Sequence, residues 1–120
     1  MENWKTFTKN WLTHRNPYTG LKWTEEPAFA FVQFLNENNI DHRWDDFSKL
    51  QTMYLLNFNP YLKANHIVPA SYDLTTDNPA FCAYLFSLQE KNIREQRDFL
   101  RRELKMKTLI TDCNMETSSY

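Results

Sequence analysis

The stretch Ala28-Phe29-Ala30-Phe31-Val32-Gln33-Phe34-Leu35-Asn36-Glu37-Asn38 constrains this chain more than any other. It follows Pro27, runs almost wholly apolar, and then turns polar over three residues. An apolar run of that length predicts a β-strand over 28–35, buried on both faces as strands are in helix-covered parallel sheets. Such strands present functional side chains at their carboxyl ends, and here that end is Asn36-Glu37. Two explanations compete for Glu37: a catalytic carboxylate, or a strand-end acid that caps the next helix or faces water. Spacing alone favours the second.

The elements on either side follow from periodicity. Trp4, Phe7, Trp11 and Leu12 recur at helical spacing and predict an amphipathic helix over 3–14 with one aromatic face. Asn16-Pro17-Tyr18-Thr19-Gly20 ends it, since Pro disfavours helix before itself and Gly supplies a turn residue. Beyond Asn38, Phe47, Leu50, Tyr54, Leu55 and Phe58 predict a helix of three to four turns, with Asp45 and Asp46 near its positive amino end. Asn59-Pro60 is expected to break it and to open an irregular region over 59–78. Asp77-Asn78-Pro79 is a helix start, a capping side chain followed by Pro in the first turn. Phe81, Tyr84, Leu85, Leu88, Ile93, Phe99, Leu100 and Leu104 then trace one face through about seven turns. The opposite face is charged, and a solvated surface accounts for it better than nucleic-acid binding. A second strand is expected over 108–111 and a frayed tail over 115–120. With helices between them, the two strands form a βαβ-type unit and must run parallel. The expected fold class is therefore α/β, helix-rich with two short parallel strands.

At this point particular residues carry a resemblance. Leu12-Thr13-His14-Arg15-Asn16-Pro17-Tyr18-Thr19-Gly20-Leu21, Glu26-Pro27-Ala28 and Asn36-Glu37-Asn38 occur in the order seen in the middle of cellulase-like retaining glycoside hydrolases of clan A. The tail, Gln96 to Leu104 and then Leu109 to Asn114, resembles the next helix and the fifth strand of their (β/α)8 barrel. Asn-Glu alone is a weak motif, and the order of the segments is the more specific signal. The resemblance implies one domain fragment over 1–120, spanning the helix before strand four to the end of strand five. It implies Glu37 as the general acid/base and Asn36 as a sugar contact. It implies no cofactor and no metal, and makes the partners a carbohydrate substrate and the remainder of the barrel. The nucleophile would be another Glu on the seventh barrel strand, which no residue here matches. Two positions depart from the pattern: Gln33, where relatives often place an acid, and the Lys105-Met106-Lys107 connection, where they usually carry Gly.

Composition sharpens these expectations. A chain of 120 residues can bury a real core, yet is about half of a usual barrel of roughly 250 residues. It is expected to be inactive alone and to self-associate, because a two-stranded unit leaves sheet edges and one face without partners. A net charge of −1 gives no field that argues for nucleic acid or an anionic membrane. No apolar run reaches the roughly 18 residues of a membrane span, and the compartment stays open. Cys82 and Cys113 lack metal or redox spacing, and Cys82 among Phe81 and Tyr84 suits a small buried hydrophobe. Asp41, His42, Asp45 and Asp46 could be ligands, although acids in a first helical turn beside a loop His need no metal. His14 and His66 stand apart. Trp23, Trp44 and Tyr18 are candidate sugar-stacking rings. The alternative to the glycosidase reading is a small α/β binding or assembly protein without catalysis.

Overall fold

The computed structural model describes residues 1–34, 40, 48–75 and 77–111. Its elements are α1 (Glu2–Leu12), β1 (Phe31–Gln33), α2 (Ser48–Ala64), α3 (Pro79–Asp98), a π-helical turn at Phe99–Glu103 and β2 (Leu109–Thr111). The architecture is helix-rich α/β with two short strands. Those strands are parallel neighbours, in the register Phe31 with Leu109, Val32 with Ile110 and Gln33 with Thr111. Parallel pairing follows from the long helical connection, which a hairpin could not accommodate.

The chain divides into two compact units, Met1–Asn36 with Asn92–Cys113 and Glu37–Lys91 with Asn114–Tyr120. In the first, Leu12, Phe34, Phe99, Leu100 and Met106 form the buried core, with Trp4, Val32 and Ile110 against it. Trp4 meets the edges of Phe34 and Phe99 at 6.2 and 5.7 Å, the arrangement that the ring quadrupoles favour. Lys5 of α1 reaches Glu95 of α3 at 2.9 Å. That hydrogen bond raises the Lys5 pKa above its ordinary value. The buried stripe of α1 is Trp4, Thr8 and Leu12, spaced by four. Phe7, expected on it, is 70% exposed.

Strand β1 is shorter than the expected 28–35, and it is not buried on both faces. The Phe29 N–H donates to the Glu26 carbonyl at 3.1 Å and the Ala28 N–H to Glu26 Oε1 at 3.3 Å. These turn bonds take groups that a longer strand would offer to a neighbour. Side chains alternate across a strand, and only one set is covered. Val32, Phe34 and Ile110 pack into the core. Phe31 and Leu109, partners in the register, are 56% and 74% exposed. Two strands with helices on one side cannot enclose the other face.

The second unit is built on Phe58, Leu62, Phe81, Tyr84 and Leu85. Phe58 stands edge-on to Phe81 at 5.3 Å and 82°. Pro60 does not break the helix: α2 continues through it to Ala64, so the irregular region begins at 65. A proline inside a helix costs about 3 kcal/mol. Phe58 and Leu62 bracket it, and burying two such side chains returns about 2 kcal/mol each. Packing outweighs the lost hydrogen bond. His66 sits at φ 55 just past the helix end, the left-handed position at which helices commonly stop.

Asn78 starts α3 as expected. Its Oδ1 accepts from the Ala80 N–H at 3.0 Å, while its Nδ2 donates to the Ser71 and Asp73 carbonyls at 2.9 and 2.7 Å. One buried side chain thus caps the helix and ties down the preceding loop. The apolar face of α3 does not serve one core. Phe81, Tyr84, Leu85 and Leu88 belong to the second unit, whereas Ile93, Phe99, Leu100 and Leu104 belong to the first. Cys82 is half-buried rather than enclosed. At Phe99 the helix widens: the Leu104 N–H reaches back five residues to the Phe99 carbonyl at 3.2 Å. The extra residue in that turn lets Phe99 and Leu100 both enter the core.

The Asn78 side chain supplies a testable consequence. Asn78→Ala removes the cap and both loop bonds and should cost about 2 kcal/mol, whereas Asn78→Asp keeps the acceptor and should cost about half as much. Denaturant midpoints followed by circular dichroism measure both, and equal losses would show that the cap itself contributes little.

Candidate functional site

Asn36 and Glu37, and with them Trp44, the Asp41, His42, Asp45 and Asp46 group, Cys113, Asn114 and Glu116, lie outside the described residues. What the structure describes is the platform that leads to Asn36-Glu37. Beyond the paired Gln33 and Thr111, the Phe34 N–H donates to the Thr111 carbonyl at 3.1 Å. The Leu109 N–H donates to the Ala30 carbonyl at 3.2 Å at the other end. The ladder therefore extends past the three register pairs at both ends, and both strands finish at one edge. Phe34 is anchored in the core, which fixes where β1 ends. Among the described residues no group of three or more His, Cys, Asp or Glu could hold a metal ion.

The Asn16-Pro17-Tyr18-Thr19-Gly20 segment is a self-contained turn. Arg15 and Lys22 form an antiparallel bridge across its base. Inside it, Asn16 Oδ1 accepts from the Tyr18 N–H at 2.8 Å and the Thr19 N–H at 3.4 Å. The Asn16 carbonyl accepts from Gly20 and its N–H donates to Leu21, both at 2.8 Å. Arg15 Nη1 donates to the Gly20 carbonyl. Gly20 is at φ 70, where a side chain is disfavoured. These bonds account for Asn, Pro and Gly as turn formers. Tyr18 projects outward, 96% exposed. The turn comes before β1 and so leads into its amino end, not its carboxyl end.

The aromatic candidates separate. Trp23 is half-exposed between Trp11 at 6.4 Å and Phe29 at 5.4 Å. It is engaged in a small cluster that closes the loop over α1, with the Thr24 N–H donating to the Leu12 carbonyl at 3.3 Å. Tyr18 has no ring partner among the described residues.

A second feature has no counterpart in the sequence reading. A cleft of about 670 Å³ in the first unit is lined by Lys9, Lys22, Lys105 and Lys107, together with Glu25 and Glu103. Lys22 Nζ lies 3.3 Å from Glu25 Oε1, and its backbone N–H lies 3.2 Å from Glu25 Oε2. That backbone bond is the main reason the Glu25 carboxyl titrates below its ordinary range. Lys105 occupies the left-handed region at φ 56. The four lysines are dispersed from position 9 to 107, so no local motif could announce them.

Because nothing approaches a Cβ built on Gly20, only its backbone conformation opposes substitution. Gly20→Ala should therefore cost about 1 kcal/mol, measured by thermal or denaturant unfolding. A neutral result would show that the turn relaxes freely. No protein-family model, curated protein or solved structure matches this chain.

Proposed function

We propose that this chain is a segment of a retaining glycoside hydrolase barrel, with Glu37 as its general acid/base and Asn36 as a sugar contact. The observation that carries the reading is the half-covered parallel sheet. Helical residues cover Val32, Phe34 and Ile110, while the register partners Phe31 and Leu109 are apolar and exposed. A (β/α)8 barrel has this sidedness, with helices outside and inward-pointing side chains stacked in layers. Side chains alternate along a strand, so the reading requires the backbone to bend near Asn36 if Asn36 and Glu37 are both to face a substrate.

In this mechanism Glu37 protonates the departing glycosidic oxygen and later draws a proton from water. A second carboxylate about 5 Å away attacks the sugar carbon. An enclosed, partly apolar site would have to raise the Glu37 pKa so that it holds its proton near neutral pH. Asn36 would donate to a sugar hydroxyl. The second carboxylate, on the seventh strand of the barrel, has no counterpart in this sequence.

The alternative is a binding or assembly protein without catalysis. Phe7 at 70% exposure and the half-exposed Trp11, one turn apart on α1, favour a docked partner. A helix on the outside of a barrel would also use them against a neighbouring helix. Catalytic dependence separates the two readings.

Grafting the chain in place of the strand-four to strand-five segment of a clan A glycosidase tests the proposal. The chimera should hydrolyse aryl glycosides, and Glu37→Gln should lower turnover by about 10²-fold or more. A folded chimera whose turnover ignores Glu37 would refute it. The isolated chain should show no turnover above background. It should also self-associate in light scattering after size exclusion, through the uncovered sheet face. The double variant Phe31→Thr, Leu109→Thr should shift it towards monomer with its helical signal intact. An unchanged association state would locate the contact elsewhere.

A further inference from the structure

The cleft beside Lys105 lies away from the carboxyl edge of the strands, and the glycosidase reading makes no use of it. Thr24 and Lys22 come from the segment leading into β1, Leu104, Lys105 and Lys107 from the segment leading into β2, and Lys9 and Thr13 from the last turn of α1 and the residue after it. Four lysines and two glutamates are among the lining residues, a formal excess of two positive charges. Lys22 is matched by Glu25 at 3.3 Å. Lys9, Lys105 and Lys107 make no ion pair with any described residue.

Lys105 adds an independent observation. Its φ of 56 is a conformation that glycine adopts without penalty and that a lysine resists. Its neighbour Met106 is buried and its N–H donates to the Leu100 carbonyl at 3.0 Å. Arg101 Nη1 holds the Met106 carbonyl at 2.7 Å. The connection is thus fixed on its far side, and Lys105 is among the residues that line the cleft. Lys105 follows the C-cap Leu104 and takes the left-handed position at which helices commonly stop, as His66 does after α2.

We propose that this cleft binds a small ligand bearing a multivalent oxyanion, a phosphate or sulfate group, held by the ammonium groups of Lys9, Lys105 and Lys107. Its volume of about 670 Å³ is that of a small-molecule site, and three lining lysines without ion-pair partners suit an anion with several acceptor oxygens. The Thr24 hydroxyl, without a hydrogen-bond partner among the described residues, is a further donor at the rim.

Calorimetric titration of the full chain with inorganic phosphate, inorganic sulfate and tripolyphosphate tests this. Binding should be saturable, strongest for tripolyphosphate, and weakened by sodium chloride. The phosphate and sulfate arms show which oxyanion the cleft prefers. Lys105→Gly is the decisive variant, because it relieves the backbone while removing the ammonium. It should unfold at a higher denaturant midpoint than the wild type and bind about tenfold more weakly. Lys63→Gln, an exposed change on α2 in the other unit, should leave the affinity unaltered. No saturable binding, unchanged affinity in Lys105→Gly, or an equal loss in Lys63→Gln would each overturn the proposal.

Discussion

The covering of a two-stranded parallel sheet on one side only governs the rest of this structure. A parallel pair needs a long crossover, and the crossover's helices shield one face. Here the cover comes from the π-helical turn near the end of the crossover and from α1, which precedes β1; they bring Trp4, Leu12, Phe99 and Leu100 against Val32, Phe34 and Ile110. The opposite face keeps apolar side chains and no cover. A surface of that kind is costly in water and prone to pairing. It is intelligible if another part of a barrel, or a second molecule, was meant to lie there.

Helix α3 supplies both units, and its two ends are fixed by different means. At the start, Asn78 joins cap and loop through one buried amide. At the finish, the π-turn at Phe99 inserts a residue and re-aims the apolar stripe. Beyond it, Lys105 takes a left-handed conformation and Met106 drops into the core. The π-turn and the strained lysine lie within a few residues of one another, immediately before β2. Departures from regular geometry gathered in one short connection indicate a backbone whose course is set by packing at both ends.

The two candidate sites differ in kind. The one proposed for Asn36 and Glu37 would require a second carboxylate that this sequence does not supply. The lysine cleft is a property of the segments that lead into the strands, and every residue it needs is in this chain. It draws its character from electrostatics, and its affinity will fall as salt rises.

Much of the fold was legible in the sequence because it rests on local chemistry. Apolar spacing marked α1, α3 and both strands, Asp77-Asn78-Pro79 announced the helix start, and Asn16 to Gly20 announced a turn whose bonds stay within it. The length of the connection made the strands parallel. What local chemistry could not decide was competition between distant groups. Pro60 stayed helical because Phe58 and Leu62 are buried on either side of it. Strand β1 shrank because Glu26 captured the N–H groups of Ala28 and Phe29. Phe31 was left in solvent because the helices cover one side of the sheet only, and Phe7 because α1 packs through Trp4, Thr8 and Leu12. The Asn36-Glu37 pair was visible as a pattern, whereas the lysine cleft was not, since its lysines come to line one cleft only after the segments before β1 and β2 and the end of α1 have packed. The sequence by itself determined the elements and their order. The tertiary structure decided which faces are buried and which charges meet, because burial and convergence depend on contacts between residues far apart in the chain.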